Sequence, residues 1–313
     1  MLKIVKQTIL PILFLIANLN CIGQKKLVPE FTVTSISKNV YSIVSPNLGL
    51  PTPENKGWNS NSHFIITEKG VLVFDTGSSE AIGKKIKNTI KSITNKPIRW
   101  VVNSHSHADH WLGNAAFSNA EIITSTYELS FMKKYGKEDV TFFSKITKGT
   151  IGATQLLYPT KLITQNQQLN FGGTDIEFIF SNDAHSKGDL LMWLPKQKII
   201  LGGDVLSSDW MPIITNSKNV QILINTLKKI RDLQPSIVLT GHGKATTVES
   251  ITRDINLLSG VLSFVKEEKQ KGEKLSNAIL TIKSKIGSKY RSLYKNFDSE
   301  IERYVKMLYK IHP

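Results

Sequence analysis

The chain has 313 residues, 40% of them hydrophobic, with 40 Lys+Arg against 25 Asp+Glu, a formal charge of +15, seven histidines and one cysteine. This length and apolar content give one large or two small domains with a sizeable core and exclude a disordered chain. The single Cys21 excludes a disulfide framework, a zinc ribbon and a thiolate-built metal site, so any metal must be held by His and carboxylates.

Residues 1–23 read as a secretory signal peptide. Lys3 and Lys6 give a basic start, Ile9 to Leu19 a short uncharged apolar run, and Cys21-Ile22-Gly23 an exit before Gln24. Pro11 and Asn18 interrupt that run, which is too short to span a bilayer. No stable membrane span is expected once it is removed, and the expected location is periplasmic or secreted, where a cysteine-free chain is well suited. The alternative is a lipid anchor at Cys21, to which the preceding Asn20 is a poor fit.

Phe31 to Thr34 and Val40 to Val44 alternate on either side of Ser37-Lys38-Asn39, a hairpin signal. Residues 46–61 are rich in Pro, Gly and Asn and read as a mobile loop whose apolar tip is Trp58. His63 to Asp75 forms a second hairpin ending in Val71-Leu72-Val73-Phe74. Ile82, Ile86, Ile90 and Ile93 then have helical spacing, and Ile98 to Val102 is a strand. Strand and helix alternate, as in an α/β fold.

A short strand at Ile122-Ile123 and Lys- and Phe-rich helical residues fill 120–150. Hairpins through Gly172-Gly173 and Pro195-Lys196-Gln197, a helix over 220–233 and a strand over 236–240 repeat the first half in outline. No linker divides the halves, so residues 24–247 read as one domain with internal pseudo-symmetry. Residues 248–313 read as a helical extension. Many lysines lie there, from Lys266 to Lys295, so much of the positive charge is a solvated helical face rather than a nucleic-acid surface.

The densest chemistry is His105-Ser106-His107-Ala108-Asp109-His110, directly after the strand Ile98 to Val102. In extended backbone, residues i and i+2 share a face, so His105 and His107 can bind one ion while the following turn presents Asp109 and His110 to another. At this chain's His and Asp frequencies the pattern arises by chance in roughly one such sequence in ten thousand. Asp75, His185, Asp204 and His242 each follow a separate predicted strand. In α/β architectures the carboxyl edge of the strands is where ligands bind. His63 and His312 stand outside this set, as a strand and a terminal histidine.

With Phe74-Asp75-Thr76-Gly77, His105-x-His107-x-Asp109-His110, His185-Ser186-x-Gly188-Asp189, Gly203-Asp204 and Gly241-His242-Gly243, residues 31–244 resemble the metallo-β-lactamase superfamily. The resemblance implies an αββα sandwich with a dinuclear site, usually zinc. His105, His107 and His185 would hold the first metal. Asp109, His110 and His242 would hold the second, with Asp204 bridging and Asp75 supporting the site from beside it. Two such dications lower the pKa of a bridging water from 15.7 toward about 7, so hydroxide can attack a carbonyl, with Asp109 orienting the nucleophile or moving a proton. Zinc is preferred on resemblance, although iron or manganese suits the same ligands.

Asp204 departs from the Cys or Ser that antibiotic-degrading subclasses carry there and matches the pattern of thioesterases, lactonases and related hydrolases. The secreted zinc hydrolases associated with quinoprotein and sulfur-oxidation systems are similar in Gly202-Gly203-Asp204-Val205, Thr240-Gly241-His242-Gly243 and Ile301-Glu302-Arg303-Tyr304. The expected function is therefore metal-dependent hydrolysis of an ester, thioester, lactone or lactam in a small-molecule substrate, with β-lactamase as the alternative. Trp58, Trp210 and Lys187 are candidate substrate contacts. A nuclease is disfavoured because the lysines lack interleaved aromatics and no additional gripping domain is present. An iron-dependent redox relative is distinguished by iron content and oxygen consumption, and a non-catalytic module by its loss of ligands.

Overall fold

The computed structural model describes residues 31–46, 49–215 and 219–311; the signal-peptide and Cys21 expectations and His312 lie outside them. Two hairpins open the first sheet: β1 (Val33–Ser37) with β2 (Val40–Ile43), and β3 (Ser62–Ile66) with β4 (Val71–Phe74). Helix α1 (Glu80–Lys91) begins where the Ser79 side chain accepts from the Ile82 N–H, as a cap should. It leads into β5 (Ile98–Val102), and β6 (Glu121–Ser125), α3 (Thr126–Ile146) and β7 (Lys161–Ile163) follow. Between β5 and β6 lie the short helix α2 (Ala108–Trp111) and a 3-10 turn over Leu112–Phe117. The sheet runs β1 to β7 in sequence order, antiparallel up to β4 and parallel beyond it.

The second sheet contains β8 (Gln167–Phe171), β9 (Thr174–Ser181), β10 (Asp189–Leu194), β11 (Ile199–Leu201) and β12 (Ile237–Leu239), in the order β12-β11-β10-β9-β8. Helix α4 (Val220–Asp232) crosses from β11 to its parallel neighbour β12. Each half of the sequence thus makes one sheet.

The period-two pattern decides the layering. In β4, Leu72 and Phe74 face the other sheet and pack with Ile176, Met192 and Leu201, while Val71 and Val73 face α1 and pack with Ile82, Ile86 and Ile90. On the far side, Leu191, Trp193, Ile200 and Val238 meet α4 and the C-terminal helices α5 (Val248–Gln270), α6 (Leu275–Tyr290) and α7 (Phe297–Ile311). The result is helix, sheet, sheet, helix, the αββα sandwich that the resemblance implies. The C-terminal helices share one core with the second sheet. No helix among the described residues is long and apolar enough to cross a membrane.

The loop before β3 differs from the mobile segment expected. Trp58 is 3% exposed and packs against Phe31 with ring centroids 4.0 Å apart. It belongs to the α1-side core and lines no described cavity of the site, which corrects its assignment as a substrate contact. Burying a large indole against several apolar neighbours outweighs leaving it at a loop tip.

Candidate metal centre

The seven metal-competent residues converge at the carboxyl ends of β5, β9, β11 and β12, with Asp75 beside them at the end of β4. Ligand atoms of His105, His107, His185 and Asp204 lie within 4.8 Å of one another, as do those of Asp109, His110 and His242. In the first group, His107 Nδ1 is 2.9 Å from His105 Nε2 and 3.1 Å from His185 Nε2. Asp204 Oδ2 lies 3.8 Å from His105 Nε2 and 3.6 Å from His185 Nε2. The same oxygen is 3.4 Å from His242 Nε2, which is also 3.3 Å from Asp109 Oδ2. Asp204 Oδ1 is 3.4 Å from His110 Nε2. Asp204 therefore stands between the two groups.

The outer ring nitrogens fix which nitrogen faces inward. His110 Nδ1 donates to Asp75 Oδ2 at 2.8 Å, His185 Nδ1 to the Ile213 carbonyl at 2.6 Å and His242 Nδ1 to the Asn59 carbonyl at 2.8 Å. Ser104 Oγ donates to Asp75 Oδ2, so it accepts from His105 Nδ1. Each of these four imidazoles then directs Nε2 toward the site, the nitrogen that a metal would take in place of a proton. Asp75 lies beside the site: it is buried, has φ of 62° and also accepts from the Ser104 N–H at 2.8 Å. These contacts over-determine an unusual backbone for a residue with a Cβ.

The electrostatics fit a cation. Burial lowers His107 to about 3, assisted by His185, and lowers His105 well below the ordinary value, assisted by His110 and His107. In the second group burial also opposes charge, but Asp204 and Asp109 overcome it. They push His242 up to about 10 and His110 well above the ordinary range. Burial likewise opposes the charge on Asp109 and Asp204, yet neighbouring imidazoles hold both below the usual carboxylate range. His110 Nε2 and Asp204 Oδ1 are buried with no hydrogen-bond partner. Such atoms are costly in an interior unless something is coordinated there. The donor set, four imidazoles with Nε2 directed inward and His107 beside two carboxylates, suits zinc, and also iron or manganese.

Gly241 permits the close packing of the second group, since a Cβ there would come 2.0 Å from Asp204 Oδ1 and 3.0 Å from His110 Cε1.

Several supporting residues escape sequence reading. Asn59 donates from Nδ2 to Asp109 Oδ2 at 2.8 Å and to the Gly49 carbonyl, aiming the carboxylate. Glu128 on α3 is fully buried and accepts from the Ser106 N–H at 2.8 Å and the Gly188 N–H at 2.7 Å. Its Oε1 also accepts at 2.8 Å from Ser186 Oγ, which lies 2.5 Å from Asp189 Oδ1. Glu128 thus ties the His105–His107 loop to the His185 loop. A Glu in the first turn of a helix, capped by Ser125, gives no sequence hint of this reach.

The loop over 206–215 is hung from the C-terminal helices. Tyr304 OH donates to the Pro212 carbonyl at 2.8 Å, Arg303 Nη1 to the Ile214 carbonyl at 2.8 Å and the Met211 N–H to Asn296 Oδ1 at 2.7 Å. That loop provides the carbonyl of Ile213 that holds His185, and Trp210, which stacks near His242 at 6.4 Å. Trp210 lines the cavity over the site together with Asp109, Asp204 and residues of α3. The cavity holds about 550 Å³. Lys187 does not line it and instead pairs with Asp183 at 2.8 Å, so its assignment to a substrate carboxylate is corrected.

A sequence model of the family described as Metallo-beta-lactamase superfamily matches residues 55–242. The chain is 25% identical over 191 residues to Metallo-beta-lactamase IND-1 of Chryseobacterium indologenes, covering 60% of this chain and 73% of that protein. It is 22% identical over 274 residues to Metallo-beta-lactamase type 2 of Elizabethkingia meningoseptica, covering 84% and 94%. A solved metallo-beta-lactamase from Pontibacter korlensis superposes with a TM-score of 0.60 at 18% identity, covering 73% of this chain and 99% of its own. That superposition speaks for the fold alone.

Proposed function

The chain belongs to the metallo-β-lactamase superfamily and is a metal-dependent hydrolase of small molecules; from this premise we propose that it is a dizinc enzyme cleaving a carboxylic ester, thioester, lactone or lactam. The observation that carries this reading is Asp204, whose two oxygens face imidazole nitrogens of both groups at 3.4 to 3.8 Å. His105, His107 and His185 would hold one ion and Asp109, His110 and His242 the other. The ions would supply an activated water at neutral pH and polarise the scissile carbonyl.

The chain's own residues do the rest. Asn59 aims Asp109, whose carboxylate lines the cavity and is placed to orient the nucleophile and accept its proton. The Asp75, Ile213 and Asn59 acceptors keep the imidazoles turned inward through proton transfers. Trp210 and the aromatic side of the cavity exclude water from one flank of the substrate. A secreted location is part of the proposal, supported by the basic start and apolar run of residues 1–23. β-Lactam hydrolysis is the second reading, favoured by the names of the relatives; Asp204 in place of Cys or Ser speaks against it as the main activity.

Metal analysis of the purified protein, followed by a panel of a cephalosporin, a lactone, a thioester and a phosphodiester, tests the proposal. Two zinc ions per chain and carbonyl cleavage lost on Asp109→Ala are expected. One ion per chain, or undiminished hydrolysis by Asp109→Ala, would sink the dinuclear mechanism.

A further inference from the structure

The cavity is lined both by the metal-competent groups and by residues of α3. Phe131, Tyr135, Asp139 and Phe142 step by four, four and three residues along that helix, so they make one stripe, and all four line the cavity. Tyr135 is 36% and Phe142 48% exposed, unusual for aromatic rings beside so deep a core. Phe131 and Tyr135 stack at 5.9 Å, and Lys134 covers one face of Tyr135. Leu50, which also lines the cavity, is 68% exposed. A contiguous apolar wall is therefore left uncovered next to the reacting centre.

Within that wall sits one half-buried carboxylate, Asp139. Burial, together with Glu138 and Asp109, pushes it up to about 6, so it remains anionic in an assay at pH 8. No Lys or Arg lines the cavity among the described residues, and Lys187 is engaged by Asp183. A carboxylate framed by aromatic faces attracts an organic ammonium by charge and by cation–π contact, whereas a substrate carboxylate meets like charge.

We propose that the substrate is a carbonyl compound whose apolar arm lies along Phe131 and Phe142 and ends in an ammonium group docked at Asp139. This rests on the hydrolase reading above and names the substrate class for the same site. The anionic lactam antibiotics would be poor substrates on this account.

Three acetate esters test it: 4-(trimethylammonio)phenyl acetate, its neutral isostere 4-tert-butylphenyl acetate, and 4-carboxyphenyl acetate. Comparing the cationic-to-neutral ratio of kcat/KM between wild type and variant cancels the intrinsic reactivity of the esters. Asp139→Asn should lower that ratio by about tenfold, and Asp139→Lys should raise the anionic-to-neutral ratio. Calorimetric affinities of the two product phenols, cationic and tert-butyl, provide a readout independent of turnover: Asp139→Asn weakens the cationic one alone, and Phe142→Ala weakens both. Ratios and phenol affinities that are the same in wild type and Asp139→Asn would overturn the proposal. If zinc-loaded wild-type protein cleaves none of the esters and no member of the wider panel, the hydrolase reading fails, and the phenol affinities alone decide whether Asp139 selects a cation.

Discussion

Glu128→Ala removes a buried carboxylate that ties together the two loops carrying His105, His107 and His185. In the intact protein the Glu128 carboxylate, fully buried in the first turn of α3, accepts from the buried N–H groups of Ser106 and Gly188 in the two loops. The alanine leaves those two donors without an acceptor, while Ser186 Oγ retains Asp189 at 2.5 Å. Each orphaned buried donor costs about 1–3 kcal/mol, so about 4 kcal/mol is expected from the pair. That is a large fraction of the 5–15 kcal/mol typical of a folded domain. Glu128→Gln keeps one oxygen and turns an NH2 toward one of the N–H groups whichever way the amide sits, and roughly half the loss is expected.

The histidines on either side of the broken tie would also drift apart, with zinc affinity falling about 10- to 100-fold, as for other changes to residues that orient ligands. Urea unfolding in the presence of zinc measures the first quantity and competition with a chromophoric chelator the second. Alanine and glutamine variants with wild-type midpoints and wild-type zinc affinity would refute the clamp.

Asp109→Ala should reduce kcat by roughly 10²- to 10⁴-fold, read from steady-state rates at saturating zinc. Chelation should lower thermal stability, since zinc at 100 times its dissociation constant contributes about 2.7 kcal/mol; a melting curve unmoved by zinc would count against a resident ion. His63 is buried between Ser42 Oγ and the Thr240 carbonyl, and burial lowers it to about 4. Its folded value lies below the unfolded 6.5, so its contribution is present above pH 6.5 and is lost as pH falls toward 4, a loss on the order of 3 kcal/mol. His63→Gln should flatten the acid limb of the stability curve by that amount in urea titrations from pH 7.5 to 4. Tyr304→Phe removes the hydrogen bond to the Pro212 carbonyl, costing about 1 kcal/mol and lowering kcat/KM through the loop that bears Trp210; equal kinetics for both proteins would show that the loop holds itself.

The sequence by itself determined the fold class, the metal-competent set and most element positions. Alternation in Val71 to Phe74 and the fourfold spacing of Ile82, Ile86 and Ile90 are local signals, because pleat and helix period act over a few residues. The seven metal-competent residues were legible because four strands end just before them and each strand reads on its own. The three-residue β7 carries no such period, and the short α2 turn is shaped by the site itself. Only the tertiary structure decided that Trp58 is core, that Lys187 is spent on Asp183, and that Glu128, Asn59 and Asp139 face the centre. Those roles depend on where one element lies against another far along the chain. Asn59 reaches Asp109 from 50 residues away and Arg303 holds Ile214 across 89. Burial and partner choice at such range follow from packing, which residue type and spacing do not encode.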